Sequence, residues 1–178
     1  MKSETVIGVG GLVVGVGALI LTLIVPEFRC FLRLDPQCDL NYAKLEAALK
    51  KSDWEKAEQE TTQLLLQAAN RRDERKFNGE SWEKVSCQNL KKINDYWEKN
   101  SHGHFGFKIQ GGIWERNRDV NEFAKTVGWI DENDKWRAHP EGLNYDKTAP
   151  EGHLPGWTGF NGNEALATAF TRFKDCGL

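Results

Sequence analysis

The four cysteines, Cys30, Cys38, Cys87 and Cys176, lack the paired spacing of a zinc site, which argues against a metal-stapled fold. An excess of one charge is also missing. The 24 Lys and Arg stand against 26 Asp and Glu, a formal net charge of -2, so there is no basic footprint for nucleic acid. The chain has no P-loop, no Ser-His-Asp elbow and no zinc-protease motif, and Cys87 with a distant histidine is what chance supplies. His102-Gly103-His104 has no third ligand at a supporting spacing, which points to surface histidines. Asp131-Glu132-Asn133-Asp134 lacks the turn glycine and closing glutamate of a calcium loop and reads as a turn. No internal repeat and no low-complexity segment is present. No residue constellation supports an enzyme.

One apolar run is long. From Thr5 to Val25 there is no charge, and about twenty residues of helix span about 30 Å, the thickness of a bilayer's hydrocarbon core. A cleaved signal is disfavoured, because Val25-Pro26-Glu27-Phe28-Arg29 offers no small-x-small site. The expectation is a single transmembrane anchor over residues 1–28 and a juxtamembrane linker over 29–39. Gly11 and Gly15 form a small-xxx-small pair, read equally well as a helix-packing face or as the glycine common in membrane helices. Gly8-Val9-Gly10-Gly11 has no βαβ unit around it and is not a dinucleotide fingerprint. Arg29 and Arg33 bias the C-terminal part to the cytoplasmic side. Cys30 and Cys38 can bridge in an oxidising compartment, but a cytosol-facing domain favours reduced thiols, with Cys87 as a small buried hydrophobe. The residues before the apolar run, Met1 to Glu4, do not read as an Arg- and Ser-rich transit segment.

Residues 40–178 read as helical. Leu45 and Leu49 mark a helix ending near Lys51, and Ser52 with Glu55 suggests a capping box opening a second helix at Trp54. Asn70 to Gly79 is a charged loop. Leu90, Ile93 and Trp97 define a helix from Ser86 to near Asn100, while Asp119 and Glu122 cap a short one closed by Gly128. A last helix spans Asn163 to Asp175, with Leu166, Phe170 and Phe173 on one face.

Between these helices, His104-Phe105-Gly106-Phe107-Lys108-Ile109-Gln110 alternates, so an extended ribbon is expected with Phe105, Phe107 and Ile109 on one side. Trp129 to Gly162 is a long loop rich in Trp, Gly and Pro, and loops of such length are usually functional or disordered. Seven tryptophans and nine phenylalanines, several in such segments, suit a flat apolar ligand as well as a helical core. Burying about 300 Å² of such a ligand contributes on the order of 8 kcal/mol before ordering costs. Lys108, Arg116, Arg137 and Lys147 lie near the apolar segments and can meet carboxylates at a ligand's edge.

Leu40-Asn41-Tyr42 with Leu45, Lys51 to Thr61, Cys87 with Leu90, Ile93 to Trp97, His104 to Gln110 with Ile113-Trp114, and Ala149 to Pro155 resemble, in order, the Genomes-Uncoupled-Four family. The resemblance runs from about Leu40 to the C-terminus. The chain differs from the family pattern at His104, Lys108, Ile109 and Val85-Ser86. The resemblance implies an all-α, compact cupped-hand helical domain that binds protoporphyrin IX or Mg-protoporphyrin IX in an apolar palm. It further implies a link to chlorophyll synthesis through magnesium chelatase. The palm would include Phe105, Phe107 and Ile109, supported by Trp114. A lid would include His153, Leu154 and Pro155, with Trp157 and Phe160 as further candidates from this sequence. The expected role is a regulator in the thylakoid or plasma membrane, partnered by a magnesium chelatase subunit or another chlorophyll-pathway membrane protein. The alternative is an interaction module on the same scaffold that docks protein and binds no pigment.

Overall fold

Amphipathic segments with identifiable caps set most of the architecture of the computed structural model, which describes residues 37–72, 77–131, 133, 135–137, 142–156 and 163–178. Seven helices are seen among these: α1 (Ala43–Lys50), α2 (Trp54–Ala68), α3 (Gly79–Lys84), α4 (Cys87–Ser101), α5 (Phe107–Asn117), α6 (Val120–Thr126) and α7 (Asn163–Asp175). The described residues hold no strand, only isolated bridge positions such as the antiparallel pair Ile130 and Trp136. The chain divides into two units, 1–39 and 40–178. The anchor expected over 1–28 and the linker up to residue 36 lie outside the described residues. Among the described residues, no helix is long and apolar enough to cross a membrane.

The caps follow local chemistry. Ser86 accepts the Asn89 N–H and starts α4, and Asp119 accepts the Asn121 and Glu122 N–H groups and starts α6. At α2 the expected Ser52–Glu55 box is not used. Ser52 sits at φ 55°, and Asp53 takes the cap by accepting from the Lys56 N–H at 3.1 Å. The unexpected α3 begins with a reciprocal box in which Asn78 and Ser81 each bond the other's backbone N–H.

In the core, α1 packs on α2 and α4, while α7 packs on α3, α5 and α6. Trp54, Trp97 and Phe105 form one aromatic group, and Trp82, Phe107 and Phe173 form another. A buried Trp needs a partner for its N–H, and Trp97 donates to Thr61 Oγ1 at 2.9 Å. Tyr42 donates its hydroxyl to Asn89, and burial beside Tyr96 raises its pKa to about 12.

The expectation of reduced thiols is overturned. Cys87, the first residue of α4, is disulfide-bonded to Cys176, just past the end of α7, across a sequence separation of 89. Cys38 is also disulfide-bonded, and no free cysteine occurs among the described residues. The pairing depends on where α7 docks, which cysteine spacing does not encode.

Candidate functional site

Gly106 cuts the expected ribbon short. Its φ is +134°, a region L side chains rarely adopt, and a Cβ there would sit 2.9 Å from Asn94 Oδ1. That oxygen accepts the Lys108 N–H at 3.0 Å, so a side chain of α4 supplies the cap that glycine cannot. Helix α5 therefore begins at Phe107, and Phe105, Phe107 and Ile109 do not share one extended face. The two phenylalanines enter different parts of the core: Phe105 meets Trp54 edge-on at 5.4 Å, whereas Phe107 stacks on Phe173 at 4.9 Å. Both are fully buried and present no open palm in this structure.

The segment expected as a lid is likewise interior. His153 and Leu154 are 1% and 0% exposed, and Pro155 is buried. Backbone bonds join it to the start of α5: Gly106 N–H donates to Leu154 O at 3.0 Å, and Gly152 N–H donates to His104 O at 2.9 Å. Gln110, itself fully buried, donates through Nε2 to Gly152 O and Pro155 O at 2.9 and 2.8 Å. Trp129 Nε1 donates to His153 O at 2.8 Å. Gly156 N–H donates to Oε2 of Glu58, a 1% exposed carboxylate on α2. His104, at a position where the sequence differs from the family pattern, donates through Nε2 to Ala149 O at 2.8 Å.

Both nitrogens of His153 are engaged. Nε2 accepts the Asn144 N–H at 2.9 Å, which leaves the proton on Nδ1 to be donated to Val127 O at 2.6 Å. Burial lowers the pKa of His153, the Val127 bond opposes this, and the positive charge of Arg137 adds to the lowering. A neutral imidazole with both nitrogens occupied does not ligate a metal centre. No group of three or more potential metal-ligating side chains occurs among the described residues.

What remains accessible lies elsewhere. Trp114 lies flat on Phe170, and the two rings floor a groove of about 300 Å³ between α5 and the end of α7. Lys108 and Lys174 stand at its edge with Glu115, and Gly111, Gly112 and Leu178 complete its lining. Ile109 is half-buried against the core. Of the cations expected to meet carboxylates, Lys108 lines this groove and the exposed Arg116 reaches beside Gly112 of its lining, while Arg137 and Lys147 are exposed and not among the lining residues. Trp157 and Phe160 lie outside the described residues.

Sequence reasoning passed over Trp136, which at 41% exposed is the large hydrophobic side chain left open among the described residues. It follows a turn in which Asp131 Oδ1 accepts the Asn133 and Lys135 N–H groups, and it is flanked by the exposed Lys135 and Arg137. A tryptophan between two cations inside a Gly- and Pro-rich loop was the signal that could have found it. Phe170, Glu58 and Gln110 were also missed as site residues. Phe170 and Glu58 read as parts of ordinary helix faces, and Gln110 as a polar position of the expected ribbon.

The GUN4-like family profile matches residues 36–172. The chain belongs to the GUN4-like family. It is 31% identical over 135 residues to the ycf53 protein of Pyropia yezoensis, covering 74% of this chain and 56% of that one. It is 30% identical over 135 residues to the chloroplastic tetrapyrrole-binding protein of Arabidopsis thaliana, covering 68% of this chain and 50% of that one. The chain thus spans about half the length of the curated relatives it matches. Its fold matches the ligand-free structure of Arabidopsis thaliana GUN4 with a TM-score of 0.64 at 26% identity, covering 73% of this chain and 91% of that one. The GUN4-like fold is therefore present, and tetrapyrrole binding is the property named for one of its members.

Proposed function

We propose that this GUN4-like protein is a non-catalytic, membrane-anchored regulator that binds protoporphyrin IX or Mg-protoporphyrin IX and stimulates magnesium chelatase in chlorophyll synthesis. The observation that carries the reading is the fold match to ligand-free GUN4 over 91% of that chain. The open aromatic and cationic groups fit such a ligand. A planar macrocycle needs apolar area on its faces and positive charge at its propionates, and Trp136 with Lys135 and Arg137 supplies both types of group at one turn. The Trp114–Phe170 groove with Lys108 and Lys174 at its edge supplies them again. Trp157 and Phe160, aromatic in the sequence, remain candidates that lie outside the described residues. The apolar run Thr5–Val25 supports the anchor, which would keep the domain beside a magnesium chelatase subunit or another chlorophyll-pathway membrane protein and raise its local concentration there.

The test is tryptophan-fluorescence quenching of the purified protein titrated with each pigment in dim light. Saturable quenching at micromolar concentration or below is expected. Quenching that does not saturate with either pigment would sink the reading. It would leave the protein-docking alternative.

A further inference from the structure

The two ends of the Cys87–Cys176 bond sit in opposite electrostatic settings. Cys87 opens α4, where unpaired N–H groups carry partial positive charge, whereas Cys176 lies just past α7, where carbonyls carry the opposite sign, and follows Asp175. Arg172 donates through Nε and Nη2 to the Val85 carbonyl at 3.3 and 2.9 Å, which holds a guanidinium beside the chain two residues before Cys87. Lys91, one turn along α4 from Cys87, brings Nζ within 4.0 Å of where a Gly177 Cβ would stand. These features stabilise negative charge on the Cys87 sulfur, as in reactive thiols. Access is also unequal. Cys87 is half-buried and Cys176 is buried, so Cys87 is the end open to an incoming thiolate.

Residues 176–178 link this bond to the Trp114–Phe170 groove. Leu178 lines the groove, and its backbone lies so close to α5 that a Cβ on Gly111 would stand 3.2 Å from Leu178 O. The Leu178 N–H donates to Phe173 O at 2.9 Å, the Gly177 N–H to Lys174 O at 3.0 Å and the Cys176 N–H to Arg172 O at 3.1 Å. Among the described residues, the backbone N–H groups of this segment thus bond only to α7, and the disulfide is its covalent tie to α4. One wall of the groove therefore hangs on a bond that a thiol can reach.

We propose that Cys87 is a redox modification site, at which a dithiol reductant reversibly opens the Cys87–Cys176 bond and loosens the Leu178 wall of the groove. One thiolate of the dithiol attacks the Cys87 sulfur, forms a mixed disulfide and expels the Cys176 sulfur, which takes up a proton. The second thiolate of the dithiol then attacks its own partner sulfur in the mixed disulfide and expels Cys87 as a thiolate. Two electrons pass to the protein, the dithiol leaves as a disulfide, and its remaining proton goes to solvent. The rest of the core keeps the fold. This inference does not depend on the pigment reading above.

The test treats the full chain with excess dithiothreitol, traps thiols by alkylation, locates them by peptide mapping and follows hydrogen exchange in the oxidised and reduced forms. The Cys87–Cys176 bond is expected to open in folded protein and to re-form on oxidation. In the open form, Cys87 should alkylate about tenfold faster than Cys176 near neutral pH, and exchange at the amides of residues 176–178 should rise about tenfold, with the interior of α4 and α5 unchanged. Cys87→Ser cannot form the bond and should show the same raised exchange without reductant, which separates this effect from reduction of the Cys38 disulfide. A bond that stays closed in folded protein under excess dithiol would overturn the proposal. Global unfolding on opening would also overturn it, because the link would then be a staple of the fold. Unchanged exchange at residues 176–178 in the open form, or in Cys87→Ser, would do so as well, by uncoupling the bond from the groove.

Discussion

The Nε2 atom of His153 accepts the backbone N–H of Asn144 at 2.9 Å, so the segment expected as a lid is tied to the preceding loop through a neutral imidazole. Protonation at Nε2 removes the only lone pair that can make this bond.

Stability should therefore fall on mild acidification. The folded-state pKa of His153 is lowered, chiefly by burial, from an unfolded value of about 6.5. The contribution is complete above about pH 6.5 and is lost as pH falls from there through the folded pKa, because the unfolded chain binds the proton first. Melting temperature against pH should slope downward on the acid side of about 6.5. The slope should flatten in His153→Gln, and an unchanged slope would remove His153 as the cause.

The bond between Cys87 and Cys176 closes a long loop, with 89 residues of sequence separation. Such cross-links typically contribute about 2–4 kcal/mol by restricting the unfolded chain. Cys176→Ser, or treatment with a dithiol reductant, should lower the melting temperature by several degrees. Equal melting of oxidised and reduced protein would show that the link adds nothing.

Phe107 is fully buried between Trp82 and Phe173, so Phe107→Ala should cost roughly 3–5 kcal/mol. Denaturant unfolding would measure this. Pigment binding lost in Phe105→Ala or Phe107→Ala is informative only where the variant is shown to be folded. A cost below about 1 kcal/mol would place Phe107 outside the tightly packed core.

Trp136 offers the cleaner probe of the ligand. At 41% exposed it is far less enclosed than Phe107, and Trp136→Ala should cost clearly less stability than Phe107→Ala. Pigment affinity should fall about tenfold, the order expected for losing one aromatic contact with a flat ligand. Titration of this variant with unaltered affinity would place the macrocycle elsewhere.

The sequence by itself determined the elements whose signals are local. Ser86 and Asp119 start α4 and α6, and the spacing of Leu166, Phe170 and Phe173 marks α7, because a cap and a 3.6-residue period need only neighbouring residues. The ordered motifs from Leu40 onward were enough to identify the family, which the profile match to residues 36–172 supports. The site was much less legible. Alternation around Phe105 and Phe107 reads as a ribbon until Asn94, on another helix, caps α5 and sends the two rings into separate parts of the core. Glu58 reads as one charge among many in Glu55-Lys56-Ala57-Glu58-Gln59-Glu60, yet it is the carboxylate that reaches Gly156. Burial, the cysteine pairing and the hold on residues 152–156 join parts of the chain far apart in sequence. Only the packing of the helices brings those parts together, so only the tertiary structure could decide them.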